Sequence, residues 1–148
     1  WRLADLLAQR KVRLIYGPIF EQPRGMRART GEAEEPCLRG AAILAEAGVE
    51  LCLTAAERRD EDGLPAQAML AIRYGLPFQK ALAAVTSVPA RLLGVGQRLG
   101  SLTPGKDADL VVWSGRPFEA TTRPLLVLID GQPVRGELPP PAAPRERF

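Results

Sequence analysis

One stretch constrains the fold of this chain more than any other. It is a turn rich in glycine and proline, followed by a short apolar run. It occupies residues 98–113. Gly100 and Gly105 supply permissive backbone, and Pro104 presets the turn ahead of Gly105. The run that follows, Leu110–Trp113, is rich in residues that favour strands. The stretch therefore predicts a tight turn that leads into a buried β-strand.

The charged residues at the entry to this strand fit a structural role. Lys106, Asp107 and Asp109 lie between the turn and the apolar run. We expect them to satisfy backbone groups of the turn and to keep the strand edge solvated.

A second strand follows at Leu125–Ile129 and runs directly into Asp130-Gly131. That dipeptide is typical of a two-residue hairpin turn, and Val134 lies just past it. These features predict a small β unit near the C-terminal end of the chain.

Helices and strands alternate in the earlier part of the chain, which is typical of an α/β fold. The predicted elements are a helix over Trp1–Gln9, a strand over Val12–Tyr16, a helix over Leu38–Ala47, a strand over Val49–Thr54, and helices over Pro65–Tyr74 and Phe78–Val85. Ser87-Val88-Pro89 is predicted to break the last helix and to leave a short turn over Ala90–Leu93.

The composition excludes several classes of function. Hydrophobic residues make up 46% and charged residues 25%, as in a soluble globular protein, and the net charge is only +3. With few aromatic residues and dispersed arginines, no nucleic-acid partner is expected. No apolar run approaches the ~18 residues that would span a bilayer, and no leader is recognisable, so we expect a cytoplasmic protein without a membrane partner. Because the chain begins at Trp1, we expect it to be a piece of a longer protein.

The two cysteines, Cys37 and Cys52, do not form a C-x-x-C pair. We interpret them as free thiols of the interior.

Two polar loops follow the predicted strands, at the positions where α/β proteins carry function. In the first, Ile19–Pro36, the side chains of Arg24, Arg27 and Arg29 could grip an anion, although a solvated charged loop is the more ordinary interpretation. The second is the charged segment Ala55–Gly63.

The motif R-L-G-S-L-T-P-G-K-D-A-D-L-V-V-W also carries a family resemblance. It is preceded by T-S-V-P-A-R-L-L-G-V and followed by I-D-G-Q-P-V. Together these segments resemble the C-terminal end of the amidohydrolase superfamily of metal-dependent hydrolases, with imidazolonepropionase-like, cyclic-amidase or dipeptidase-type members nearest. The resemblance covers residues 1–135 and is strongest over Ala81–Val134.

The resemblance implies the fold class: α/β, as the C-terminal portion of a (β/α)8 (TIM-type) barrel plus strands of a small β-sandwich. Val12–Tyr16 would be the penultimate barrel strand and Val49–Thr54 the last, with the first six strands absent. The implied organisation is barrel strands and helices over 1–97, sandwich strands over 98–136 and a flexible proline-rich tail over 137–148.

The resemblance also implies where the metal ligands should be. The family holds one or two divalent metals through a His-x-His pair on the first strand, His or Lys on middle strands, and an Asp after the last strand. This chain contains no histidine. Counted from Gly48, the position of the family's Asp is occupied by Ala56, which can neither ligate metal nor act as a base. The nearby acids Glu57, Asp60 and Asp62 are the remaining candidates.

Three functions stay open on these residues. The favoured one is a catalytically degenerate amidohydrolase-like protein with a structural or regulatory role, in which no catalytic residue is identifiable and no cofactor is expected in this chain. The second is a metal-dependent hydrolase of amide-type, non-peptide C–N bonds that takes zinc ligands from missing sequence and from Glu57, Asp60 or Asp62. The third is a small-ligand binding module lined by the two loops. In each case the expected partner is the remainder of the barrel or an amidohydrolase-like subunit, in an oligomer.

Overall fold

The computed structural model of the protein describes residues 1–19, 37–55 and 63–137. They form two compact units, Trp1–Ser101 and Leu102–Phe148. The first unit contains five helices and a parallel pair of strands in its described part, and the second contains an antiparallel sheet. The predicted tail lies outside the described residues from position 138 onward.

The first unit alternates helix and strand, as the sequence predicts. Its elements are α1 (Ala4–Gln9), β1 (Arg13–Tyr16), α2 (Gly40–Glu46), β2 (Glu50–Leu53), α3 (Leu64–Arg73), α4 (Phe78–Val85) and α5 (Ser87–Leu92). Some ends coincide with the predicted ones and the others differ by up to three residues, because terminal turns and strand ends are only partly hydrogen-bonded. The mixed α/β class is confirmed.

Strands β1 and β2 are parallel, with Arg13 opposite Glu50 and Tyr16 opposite Leu53. Helix α2 lies between them in the chain, as in a β-α-β unit. β2 is the more buried strand because three of its four residues are inaccessible, whereas Arg13 and Ile15 of β1 are exposed.

The core of this unit is built largely from small side chains on helix faces. Among the residues that the structure describes, Leu44 and Leu76 are the largest fully buried side chains. Around them, alanines of α2, α3 and α4 have exposed fractions of 1% or less: Ala41, Ala42, Ala68, Ala71, Ala81 and Ala84. Alanine faces allow helices and strand β2 to approach closely at little cost in side-chain entropy.

The predicted break at Ser87-Val88-Pro89 is wrong, because these residues begin helix α5. The break falls one residue earlier, at Thr86, whose φ and ψ of −130° and −85° are not helical. The Thr86 hydroxyl donates a hydrogen bond to the Leu82 carbonyl oxygen at 2.6 Å. Pro89 fits the first turn of α5, where its missing N–H needs no intrahelical partner.

The second unit is a three-stranded antiparallel sheet in the order β3 (Leu110–Trp113), β4 (Pro124–Ile129), β5 (Gln132–Gly136). The predicted hairpin is confirmed: Asp130 and Gly131 join β4 to β5 with φ values of 50° and 75°, as a type I′ turn requires. The side chain of Asp109 has the structural role expected of it, because its Oδ1 accepts a hydrogen bond from the Asp130 amide at 2.9 Å.

Candidate functional site at the carboxyl ends of the parallel strands

The carboxyl ends of β1 and β2 meet at one edge of the parallel pair. The Thr54 amide donates a hydrogen bond to the Tyr16 carbonyl oxygen at 3.1 Å, so the pairing continues one residue beyond β2. The side chains of Thr54 and Ala55 are half-buried there. In parallel α/β proteins this edge is where functional side chains collect.

The turn after β1 approaches the end of β2 so closely that only glycine fits. Gly17 has a φ of 136°, and a Cβ atom built on it would collide with the Thr54 carbonyl oxygen. The peptide bond to Pro18 is cis. Gly17 therefore fixes the direction in which the chain leaves β1, toward the segment that begins at Ile19.

A buried glutamine on α3 holds the start of that segment. Gln67 is 3% exposed, and its Oε1 accepts a hydrogen bond from the Ile19 amide at 2.8 Å. The Ile19 side chain is itself 3% exposed. The start of the first loop is thus held in place by burial of the Ile19 side chain and by this hydrogen bond, which joins residues 48 positions apart in the sequence.

Tyr16 points toward the start of α2. Its hydroxyl lies 3.5 Å from the Cys37 carbonyl oxygen and fills the space beside the Cα of Gly40. Burial, with a smaller contribution from Cys37, raises the pKa of the Tyr16 hydroxyl. The group stays neutral near pH 7, which favours a packing role over acid–base chemistry.

The two cysteines are both free thiols, as predicted. Cys52 is 4% exposed within β2, whereas Cys37 is half-buried ahead of α2. Burial raises the pKa of the Cys52 thiol, partly opposed by a backbone hydrogen bond. A thiol that is kept protonated and inaccessible is a poor nucleophile and a poor metal ligand.

The candidate ligands from the sequence lie outside the described residues. These are the anion-binding candidates Arg24, Arg27 and Arg29, the position Ala56, and the acids Glu57, Asp60 and Asp62. Within residues 1–19, 37–55 and 63–137, no group of three His, Cys, Asp or Glu side chains could hold a metal ion. At this edge the described groups are the hydroxyls of Tyr16 and Thr54 and the amide of Gln67, which do not fit the anionic or imidazole donor set of a divalent metal.

The sequence prediction did not include Gln67. Its signal is a single uncharged polar residue in the helix L-P-A-Q-A-M-L-A-I-R, whose other residues are apolar except for Arg73 at its end. A buried glutamine requires a hydrogen-bond partner, so this pattern indicates a tertiary contact without identifying Ile19 as the partner.

None of the helices in the described part of the chain is both long and apolar enough to cross a bilayer.

Comparison with known proteins places these observations in a family. A family model described as "Amidohydrolase family" matches residues 26–135. Amidohydrolase tasK of Hapsidospora irregularis is 49% identical over 65 residues, which are 44% of this chain and 7% of that protein. An imidazolonepropionase of Erwinia tasmaniensis is 51% identical over 47 residues, or 31% of this chain and 12% of that protein.

Solved structures extend the similarity over nearly all of the chain. An amidohydrolase from Thermotoga maritima MSB8 superposes with a TM-score of 0.78 and 32% identity, over 92% of this chain and 34% of that one. A prolidase complexed with N-methylphosphonate-L-proline shares the fold, with a TM-score of 0.71 and 20% identity over 92% of this chain and 38% of that one. The chain thus spans about a third of the length of these structures, and it belongs to the amidohydrolase family.

Proposed function

We propose that the chain is the C-terminal part of an amidohydrolase-like protein whose metal site has degenerated, so that the protein has a structural or regulatory role. In this proposal β1 and β2 are the last two strands of a (β/α)8 barrel, and the antiparallel sheet contributes to a β-sandwich. The observation that supports the proposal is the sequence Thr54-Ala55-Ala56 after β2, because the resemblance implies the family's aspartate at position 56.

The chemistry of amide hydrolysis explains why this replacement matters. A carboxylate at the end of the last strand would both ligate the metal and take a proton from the attacking water. Loss of a general base alone lowers the rate by roughly 10²–10⁴-fold. An alanine methyl group supplies neither function, and the described neighbours Thr54 and Ala55 offer only a hydroxyl and a methyl group.

The exposed apolar residues of the first unit support the proposed partner, the remainder of the barrel or an amidohydrolase-like subunit. Within the described residues β1 pairs only with β2, and its Ile15 is 62% exposed. On α1, Leu3 and Leu6 are 62% and 43% exposed. An open strand edge together with exposed large aliphatic side chains requires cover from another segment or subunit.

Metal analysis and turnover of the whole protein test the proposal. We expect less than stoichiometric zinc after purification, and no hydrolysis of cyclic amides or dipeptides with zinc added. Stoichiometric zinc together with hydrolysis would instead support a working hydrolase, and Glu57→Gln, Asp60→Asn and Asp62→Asn would then identify its ligand.

A matched pair of substitutions sharpens the test. Ala56→Asp restores a carboxylate at the family position, whereas Ala55→Asp places it one residue away. We expect only Ala56→Asp to increase zinc affinity. Equal effects of the two variants would argue against position 56 as the lost ligand.

A further inference from the structure

A crevice of about 220 Å³ opens at the amino end of β2, away from the edge described above. Its floor is formed by Leu51, Leu76 and Val88, whose exposed fractions are 5%, 2% and 7%. The remaining walls come from the end of α2 and from α4 and α5, all within the first unit. The floor is therefore apolar, and only a small part of its surface is accessible to water.

Charged side chains of three elements line the crevice, namely Glu50, Lys80 and Arg91. Glu50 of β2 forms ion pairs with Arg91 of α5 and, at 3.4 Å, with Arg13 of β1. Lys80 of α4 lines the same crevice, is exposed, and has no ion pair with any residue in the described ranges. The crevice is thus lined by two cations, Lys80 and Arg91, and by one carboxylate whose charge is already offset by two guanidinium groups.

This combination points to a specific class of ligand. We propose that the crevice binds a small monocarboxylate with a short apolar tail. The carboxylate would lie between Lys80 and the outward part of the Arg91 guanidinium, and the tail would cover Leu76 and Val88. An arginine or lysine paired with a carboxylate forms a stronger hydrogen bond than neutral groups do, and burial of the tail removes its apolar surface from water.

The size of the crevice sets the length of the tail. A volume of about 220 Å³ corresponds to roughly seven water molecules at about 30 Å³ each. A carboxylic acid of about six carbons has a similar volume, whereas acetate would fill much less of the crevice. Hexanoate is therefore the probe of choice.

The position of the crevice gives the proposed site a regulatory character. Gly48, Val49 and Glu50 line it at the start of β2, whereas Thr54 and Ala55 follow the other end of the strand. Four residues of extended strand separate the two ends by about 13 Å. A ligand here would bind without occupying the carboxyl-end site, and the inference does not depend on whether the protein hydrolyses an amide.

Isothermal titration calorimetry of the whole protein tests the proposal with three probes. Hexanoate carries both features, hexan-1-ol has the tail without the charge, and acetate has the charge without the tail. We expect saturable binding of one hexanoate per chain, with the other two probes at least about tenfold weaker, because each lacks one of the two contributions.

Substitutions then locate the site. Lys80→Gln should weaken hexanoate binding about fivefold to tenfold, as expected for loss of a partly exposed charged hydrogen bond. Ala83→Met should also weaken binding, because it fills the crevice while leaving every charge in place. Lys11→Gln, the same change at a lysine outside this crevice, serves as the matched control and should change affinity less than twofold.

Several results would overturn the proposal. They are the absence of saturable hexanoate binding to the unmodified protein, equal affinities for hexanoate and hexan-1-ol, or unchanged binding in both Lys80→Gln and Ala83→Met. Equal losses in Lys80→Gln and Lys11→Gln would likewise contradict it, because they would indicate a general charge effect.

Discussion

The hydroxyl group of Tyr16 occupies the space beside the Cα of Gly40 in which any larger side chain would begin. The contact joins the end of β1 to the first residue of α2, across a segment of 24 positions. It explains why a glycine is found at the start of a helix whose other buried positions are Ala41, Ala42 and Leu44.

This relationship predicts non-additive effects of two substitutions. Gly40→Ala should lower the free energy of unfolding by about 1–3 kcal/mol, the usual cost of overpacking. Tyr16→Phe removes the hydroxyl and should reduce that cost without abolishing it, because the ring carbon Cζ would still lie 3.0 Å from the new Cβ. A double-mutant cycle by chemical denaturation measures the coupling, and strictly additive effects would contradict the contact.

A second prediction concerns the hydrogen bond between Gln67 and Ile19. Gln67→Met keeps the approximate shape of the side chain but leaves the buried Ile19 amide without its acceptor, which should cost about 1–3 kcal/mol. Hydrogen exchange at the Ile19 amide should accelerate. The matched control is Gln132→Met at an exposed position of β5, which should change stability by less than about 0.5 kcal/mol. Unchanged exchange at Ile19 would show that the bond does not hold the start of the first loop.

The ion pairs of Glu50 support a third prediction. Glu50→Gln should destabilise the protein by about 1 kcal/mol or less, because Arg13 and Arg91 are both about half exposed and solvent screens their charges. Glu46→Gln, which affects a single more exposed pair with Arg39, should have almost no effect. In 0.5 M salt the difference between the two variants should shrink, since the Debye length falls to about 4 Å. A salt-independent difference would indicate a packing effect of Glu50.

The fourth prediction is a loss of stability in alkali. Burial raises the pKa of Tyr16 above its ordinary value of 10.0 and that of Cys52 above 9.0. In the unfolded chain each group releases its proton at its ordinary pKa, while the folded protein still binds it. The unfolded state then binds fewer protons, so the free energy of unfolding should fall as pH rises from about 9 through the raised pKa values. Below pH 8 these two groups should contribute no pH dependence.

Denaturation curves at pH 8, 9 and 10 measure this slope. Tyr16→Phe removes the contribution of Tyr16 and should give a shallower decline between pH 9 and 10. The prediction fails if the variant and the unmodified protein decline equally.

Local sequence patterns were sufficient for elements that depend on neighbouring residues. The Asp130-Gly131 hairpin follows from backbone conformations that few other dipeptides adopt, and the alternation of helices and strands follows from apolar spacing. Pro89 was misassigned because a proline can either end a helix or occupy its first turn, and the sequence does not distinguish these cases.

In the candidate site, too, some features could be predicted from the sequence and others could not. The proposed replacement of a carboxylate at position 56 needs only the sequence and the family resemblance, because it depends on the identity of one residue and its distance from Gly48. The roles of Gln67 and Glu50 are not, because their partners are 48 and up to 41 residues away. Side-chain chemistry shows that a buried amide needs an acceptor or a donor, but chain topology determines which backbone group supplies it.

The sequence by itself determined the family and the α/β class, since both depend on residue identity and short-range order. Only the tertiary structure decided that Gly40 must accommodate Tyr16, that Gln67 holds Ile19, and that Lys80 and Arg91 stand over an apolar floor. These relations arise when strand pairing and helix packing bring distant residues within a few ångströms of one another, and no local propensity encodes such distances.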